Sequence, residues 1–67
     1  MGLYKNIQDA CRVEGRTVNG VEQELGFGRG SIAKWDKNIP SVKKVAEVAA
    51  VLHTTVDALL SGVEFDG

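Results

Sequence analysis

Residues 17–38 decide the fold of this chain, and they read TVNGVEQELGFGRGSIAKWDKN. Thr17 is a typical N-cap residue, and apolar residues recur after it at the spacing of one helix face. Those apolar residues are Val18, Val21 and Leu25. Gly26 follows at a position where a positive φ angle ends a helix. The pattern predicts one short helix and then a sharp turn.

A second helix is expected over about residues 28–37, with Ile32 and Trp35 on its buried face. The predicted link, Gly26-Phe27-Gly28, is so short that the two helices must cross at a large angle, and we expect Phe27 to cover the pocket between them. Two helices joined in this way are the sequence form of a helix-turn-helix, whose second helix enters the major groove of duplex DNA.

The chain before and after this unit is also helical in pattern. A first helix is expected over about residues 3–14, ending at Gly15 in a left-handed conformation. Asn38 is expected to stop the third helix in the same conformation, and Pro40 prevents its continuation.

Two more helices follow, capped by Ser41 and by Thr55. We therefore predict an all-α, compact five-helix domain over residues 1–67, with a tail at 62–67.

Composition limits the class of protein. The chain has 67 residues, one cysteine (Cys11) and one histidine (His53), so we expect no disulfide and no zinc site. No stretch reaches the roughly 18 apolar residues of a membrane span. The N-terminal segment, with only Lys5 ahead of polar residues, is not expected to be a secretory signal. No nucleophile–base pair or phosphate loop is present. We expect a cytoplasmic, non-enzymatic protein of a bacterium or a phage-infected cell, without cofactor or membrane association.

The charges are unevenly distributed along the chain. The total is −1, which by itself argues against nucleic acid. Residues 28–44, however, hold five basic residues against one acidic residue, a net +4, while the remainder holds three basic and eight acidic residues, a net −5. A phosphate backbone responds to the local field, so the basic half is the candidate for DNA.

The same residues resemble the helix-turn-helix of phage Cro and repressor proteins, the xenobiotic-response-element (XRE) family. The family pattern, roughly T-Q-x-x-L-A-x-x-L-G-V-S-x-x-T-I-S-x-W-E-x-G, is matched here without a gap. The matching positions are Thr17, Val21, Leu25, Gly26, Phe27, Ile32, Trp35 and Asp36. The similarity covers nearly all of residues 3–61. It implies a lambda-repressor-like fold, with the helix-turn-helix at helices 2 and 3, and DNA binding.

Three positions depart from the family pattern. Val18 stands where the family usually has a glutamine that contacts a phosphate, and Glu22 stands where it has a small residue, usually alanine. Gly30 occupies the place of a common base-reading polar residue. These departures concern the DNA contacts more than the fold.

The third helix and its flanks carry the candidate DNA contacts. Arg29 suits guanine O6 and N7, and Lys34 and Lys37 suit a phosphate or guanine. The full set of expected contacts is Thr17, Gly28, Arg29, Gly30, Ser31, Ala33, Lys34, Lys37, Asn38, Ser41 and Lys43. From charge alone, an ordinary solvated face explains the basic residues equally well. Gly30 is either a point of close approach to the bases or a helix defect.

These features predict a sequence-specific transcriptional regulator, a repressor that occludes a promoter as a homodimer on a pseudo-palindromic operator. The expected dimer surface is the fifth helix and the tail, through Leu59, Leu60, Val63 and Phe65. The alternative is a protein-interaction module, such as an adaptor or an antitoxin, that keeps the fold with weak or no DNA binding.

Overall fold

The computed structural model describes residues 2–63, which form an all-helical, compact domain without a strand in that range. Four α-helices and one 3₁₀ helix follow each other along the chain. They are α1 (Leu3–Val13), α2 (Val18–Leu25), the 3₁₀ helix (Ile32–Asp36), α3 (Val42–Val51) and α4 (Val56–Leu60). No helix in residues 2–63 is long and apolar enough to cross a membrane.

Hydroxyl side chains begin three of the α-helices, as the sequence predicts. The Oγ1 of Thr17 accepts a hydrogen bond from the N–H of Gly20 at 3.0 Å. In the same way, Ser41 caps α3 at 3.3 Å and Thr55 caps α4 at 3.1 Å. Each cap satisfies one of the N–H groups that have no partner within the first turn of a helix.

The helix ends are less uniform than the sequence suggests. Gly15 and Gly26 have the predicted left-handed conformation, with φ angles of 69° and 74°. The prediction for Asn38 is wrong, because His53 is the only non-glycine residue with a positive φ among residues 2–63. His53 ends α3 with a φ of 55°, and the next N–H, that of Thr54, bonds the carbonyl of Ala49 at 2.9 Å.

The third predicted helix is shorter than expected and is not an α-helix. It covers Ile32–Asp36 instead of about 28–37, and its bonds run between residues three apart, from the N–H of Lys34 to the carbonyl of Ser31 at 3.1 Å. Residues 29–31 form a turn. The link from α2 therefore spans residues 26–31 and is longer than the predicted Gly26-Phe27-Gly28.

One apolar core joins all the elements. α1 packs against the 3₁₀ helix, α2 and α4, and α3 packs against α2 and α4. Cys11 lies in this core at 2% exposure, as expected for a small apolar residue. The buried apolar residues are Leu3, Ile7, Cys11, Val21, Ile32, Trp35, Val45, Val48, Ala49, Leu52 and Leu59.

Two side chains tie distant parts of the chain to the start of α1. The Oδ1 of Asp36 accepts from the N–H of Tyr4 at 3.1 Å. The Nδ2 of Asn6 donates to the carbonyls of Leu59 and Ser61, at 2.7 and 2.8 Å. The first turn of α1 thus fixes both the end of the 3₁₀ helix and the end of α4.

Candidate nucleic-acid interface

The buried side of the 3₁₀ helix is the one that the sequence predicts. Ile32 is fully buried and Trp35 is 7% exposed. The ring of Phe27 meets the ring of Trp35 edge-on, with centroids 5.8 Å apart and planes at 60°. The predicted role of Phe27 as a cover between α2 and the next segment agrees with this contact.

The 3₁₀ geometry changes which side chains share the outer surface. Side chains at i and i+3 eclipse each other in such a helix, so Lys34 and Lys37 lie along one edge that begins at Ser31. Ala33 shares a different edge with Asp36, whose carboxylate bonds the first turn of α1. Ala33 is exposed, but it is not on the lysine edge as the α-helical spacing predicts.

Gly30 belongs to the turn that precedes the 3₁₀ helix. Its φ angle is +82°, which L residues rarely adopt, and a Cβ at this position would meet nothing within 4 Å. The helix-defect interpretation is therefore replaced by a backbone requirement of the turn, whereas close approach of Gly30 to the bases stays a prediction.

The carboxylate of Glu22 restrains this turn by hydrogen bonds. Glu22 is not among the functional residues predicted from the sequence. Its Oε1 accepts from the N–H of Gly30 at 3.1 Å and its Oε2 from the N–H of Ile32 at 3.0 Å. Helical spacing places Glu22 on the apolar side of α2, because it follows Val18 by four residues and precedes Leu25 by three. The sequence therefore indicates that its side chain points inward. The partners, eight and ten residues away, are not visible in the sequence.

The hydroxyl groups of the candidate set already make local bonds. Those of Thr17 and Ser41 accept the cap bonds of α2 and α3, so each keeps its own O–H to donate. The hydroxyl of Ser31 donates to the carbonyl of Gly28, so it keeps lone pairs that can accept. Asn38 is exposed, and its backbone N–H bonds the carbonyl of Lys34 at 2.8 Å.

The basic side chains fall into two groups. Each of the three outside residues 28–44 pairs with a carboxylate: Lys5 and Arg12 with Asp9, and Arg16 with Glu24. The five within residues 28–44 are exposed, and none forms an ion pair with a carboxylate of residues 2–63. These five are Arg29, Lys34, Lys37, Lys43 and Lys44, which we call the free cations. Asp36, the one acidic residue within residues 28–44, accepts a hydrogen bond from the first turn of α1.

The predicted dimer surface is available only in part. Leu59 is 2% exposed and belongs to the core, whereas Leu60 and Val63 are half-buried. Phe65 lies outside the described residues. Leu60 lines an apolar surface groove of about 280 Å³ at the junction of α1, α3 and α4. The groove is lined by Leu3, Ile39, Pro40, Val42, Val45, Val56 and Leu60.

Other chemistry-bearing residues occupy structural positions. Burial raises the pKa of the Cys11 thiol, and the positive charge of Arg16 partly opposes that shift. The Nδ1 of His53 lies 2.6 Å from the Oε1 of Glu14 and links the ends of α3 and α1. Within residues 2–63, no group of three or more His, Cys, Asp or Glu side chains is placed to hold a metal ion.

Comparisons of the chain with protein-family models, with curated proteins and with solved structures give no significant match.

Proposed function

We propose that this protein is a sequence-specific DNA-binding regulator of the Cro and repressor type, with residues 17–38 acting as a helix-turn-helix. The observation that supports the proposal is the group of five exposed free cations within residues 28–44. Within residues 2–63, this stretch leaves each of its basic residues without a carboxylate partner, while the basic residues outside it are paired. Such a stretch is suited to phosphates.

The proposed base contacts come from the turn at residues 28–31. Arg29 lies in this turn, exposed, and its guanidinium can donate two hydrogen bonds to guanine. Ser31 offers an acceptor from its hydroxyl lone pairs. Because Arg29 is the only long side chain in the turn, it carries most of the proposed sequence preference.

The proposed phosphate contacts flank the turn on both sides. Lys34 and Lys37 extend from one edge of the 3₁₀ helix, and Lys43 lies in the first turn of α3. Thr17 and Ser41 keep a hydroxyl proton for a phosphate oxygen. Such contacts fix the orientation of a protein on the duplex and carry no sequence information.

A second copy of the chain is the proposed partner, on a pseudo-palindromic operator. Two copies double the phosphate contacts that a single small domain can make. The groove that contains Leu60 has two exposed apolar residues at its rim, Ile39 at 61% and Val42 at 72% exposure. Two exposed apolar side chains at the rim of an apolar groove are suited to an isologous contact. Bound to a promoter, such a dimer represses by occlusion.

The alternative is an interaction module that keeps this fold without reading DNA. The total charge of −1 and the valine at position 18, in place of the phosphate-binding glutamine of the family, favour this alternative. It predicts no measurable affinity for duplex DNA at low salt.

A salt titration separates the two proposals. Fluorescence anisotropy with a random duplex at 50 and at 200 mM salt should show a loss of affinity of about fortyfold per domain when Lys34, Lys37 and Lys43 each neutralise one phosphate. Lys43→Ala should weaken all duplexes alike and reduce the salt slope by about one. Arg12→Ala is the matched control, because Arg12 is exposed and paired with Asp9. No binding at 50 mM salt overturns the DNA-binding proposal in favour of the interaction module.

A further inference from the structure

We propose that Glu22 is a positioning residue, whose buried carboxylate holds the turn at residues 28–31 in the form that presents Arg29 to DNA. The inference rests on the proposed function for its DNA part. The contact between Glu22 and the turn stands on the geometry alone.

Glu22 is the one charged side chain that is fully buried in the described part of the chain, at 2% exposure. It comes from the middle of α2, next to Val21, which is 0% exposed and packs in the core. The carboxylate therefore starts from a fixed backbone. Its two oxygens bond two N–H groups of the following segment, those of Gly30 and Ile32.

No lysine or arginine of residues 2–63 forms an ion pair with Glu22. A buried carboxylate without a cation is costly unless its oxygens accept hydrogen bonds. The two backbone N–H groups supply those bonds. The turn cannot move away from α2 without leaving both oxygens unsatisfied, so the carboxylate restrains the turn from within the fold.

The restraint acts on the residues that are proposed to contact the bases of DNA. Ser31 lies between the two bonded N–H groups, and Arg29 directly precedes the first of them. The N–H of Arg29 makes no hydrogen bond within residues 2–63. The turn is closed by the N–H and the hydroxyl of Ser31, which both donate to the carbonyl of Gly28, and the two bonds to Glu22 tie it to α2. A turn that is already ordered loses less entropy when its side chains bind.

The test compares Glu22→Gln with Glu24→Gln. Glutamine has the size of glutamate but only one acceptor oxygen, so its NH₂ faces a backbone donor and one of the two bonds is lost. Glu24 is on the same helix and exposed, so the same substitution there makes the same change of charge. Because it also releases Arg16 from its ion pair, the ratio of the two affinities is compared, and not either affinity alone. The probes are a duplex selected by the unaltered protein from a random pool and a random duplex of equal length.

Glu22→Gln should lower the ratio of the two affinities about tenfold and leave the affinity for the random duplex within about twofold. A merely structural loss lowers both affinities together, because it reduces the folded fraction. Glu24→Gln should leave the ratio unchanged. Equal ratios for Glu22→Gln and the unaltered protein overturn the positioning role.

Amide hydrogen exchange of the unaltered protein tests the contact without DNA and without a variant. The N–H groups of Gly30 and Ile32 should exchange far more slowly than that of Arg29 in the same turn. Equal rates for the three amides overturn the restraint. Absence of DNA binding by the unaltered protein, with slow exchange at Gly30 and Ile32, instead overturns the proposed function and with it the reading role.

Discussion

The carboxylate of Asp36 lies directly against the backbone of Gly2. Its Oδ1 accepts from the N–H of Tyr4 at 3.1 Å, and a Cβ at residue 2 would fall only 2.1 Å from its Oδ2. Asp36 therefore caps the start of α1 as Thr17 caps the start of α2, although Asp36 lies 32 residues from its partner Tyr4. Because Gly2 lacks a side chain, the carboxylate can approach the first turn of the helix.

Asp36→Ala should destabilise the domain by about 0.5–2 kcal/mol, as does the loss of an N-cap. Gly2→Ala should produce a similar loss, since its Cβ displaces the same carboxylate. The two losses share one cause, so the double variant should be about as stable as either single variant. Urea denaturation of the four proteins measures the cycle. Additive losses would contradict the shared contact.

The sign of the stability change caused by Gly30→Ala distinguishes a turn from a helix at this position. In a helix interior, as the sequence predicts for this position, alanine would stabilise by about 1 kcal/mol. At the observed φ of +82° it should instead destabilise by about 1–2 kcal/mol. Gly30→Asn should lose less, because asparagine tolerates the left-handed conformation better. Thermal denaturation of the unaltered protein and the two variants gives their order of stability.

The Cys11 thiol should be protected from reagents and should link stability to alkaline pH. Burial raises its pKa in the folded state, so the folded protein retains the thiol proton more strongly than the unfolded chain. The stabilisation is complete below the unfolded pKa of about 8.5 and is lost as pH rises through the folded pKa. Cys11→Ala should show a flatter fall in stability above about pH 8.5. Parallel curves for the two proteins would rule out the linkage.

Dimer formation through the groove can be tested at its exposed rim. Val42→Lys and Ile39→Lys should shift the protein towards monomer in analytical ultracentrifugation, because each places a charge in an apolar contact. Val13→Lys is the control, since Val13 is exposed on α1 and does not line the groove. A protein that stays monomeric at high concentration with DNA present has no such interface.

The local features of the fold were predictable from the sequence. The caps at Thr17, Ser41 and Thr55 depend on bonds to residues three positions ahead, which spacing alone reveals. The inward direction of Ile32 and Trp35 was also predicted, because both the 3.6-residue and the 3.0-residue period place residues three apart on one side.

The features that depend on distant partners were not predictable in this way. The sequence shows Glu22 on an apolar helix side, but not that its carboxylate bonds Gly30 and Ile32. Those bonds and the positive φ of Gly30 keep residues 29–31 out of a helix. The predicted α-helix is therefore a turn and a 3₁₀ helix, and Ala33 does not share the edge of Lys34 and Lys37.

The bonds of Asn6 have a consequence for the kinetics of folding. Its carbonyl partners, on Leu59 and Ser61, are more than fifty positions further along the chain. Contacts between residues so far apart in sequence close a long loop, which costs more entropy than contacts between neighbouring helices. We therefore expect α1 to dock onto α4 more slowly than neighbouring helices pair with each other.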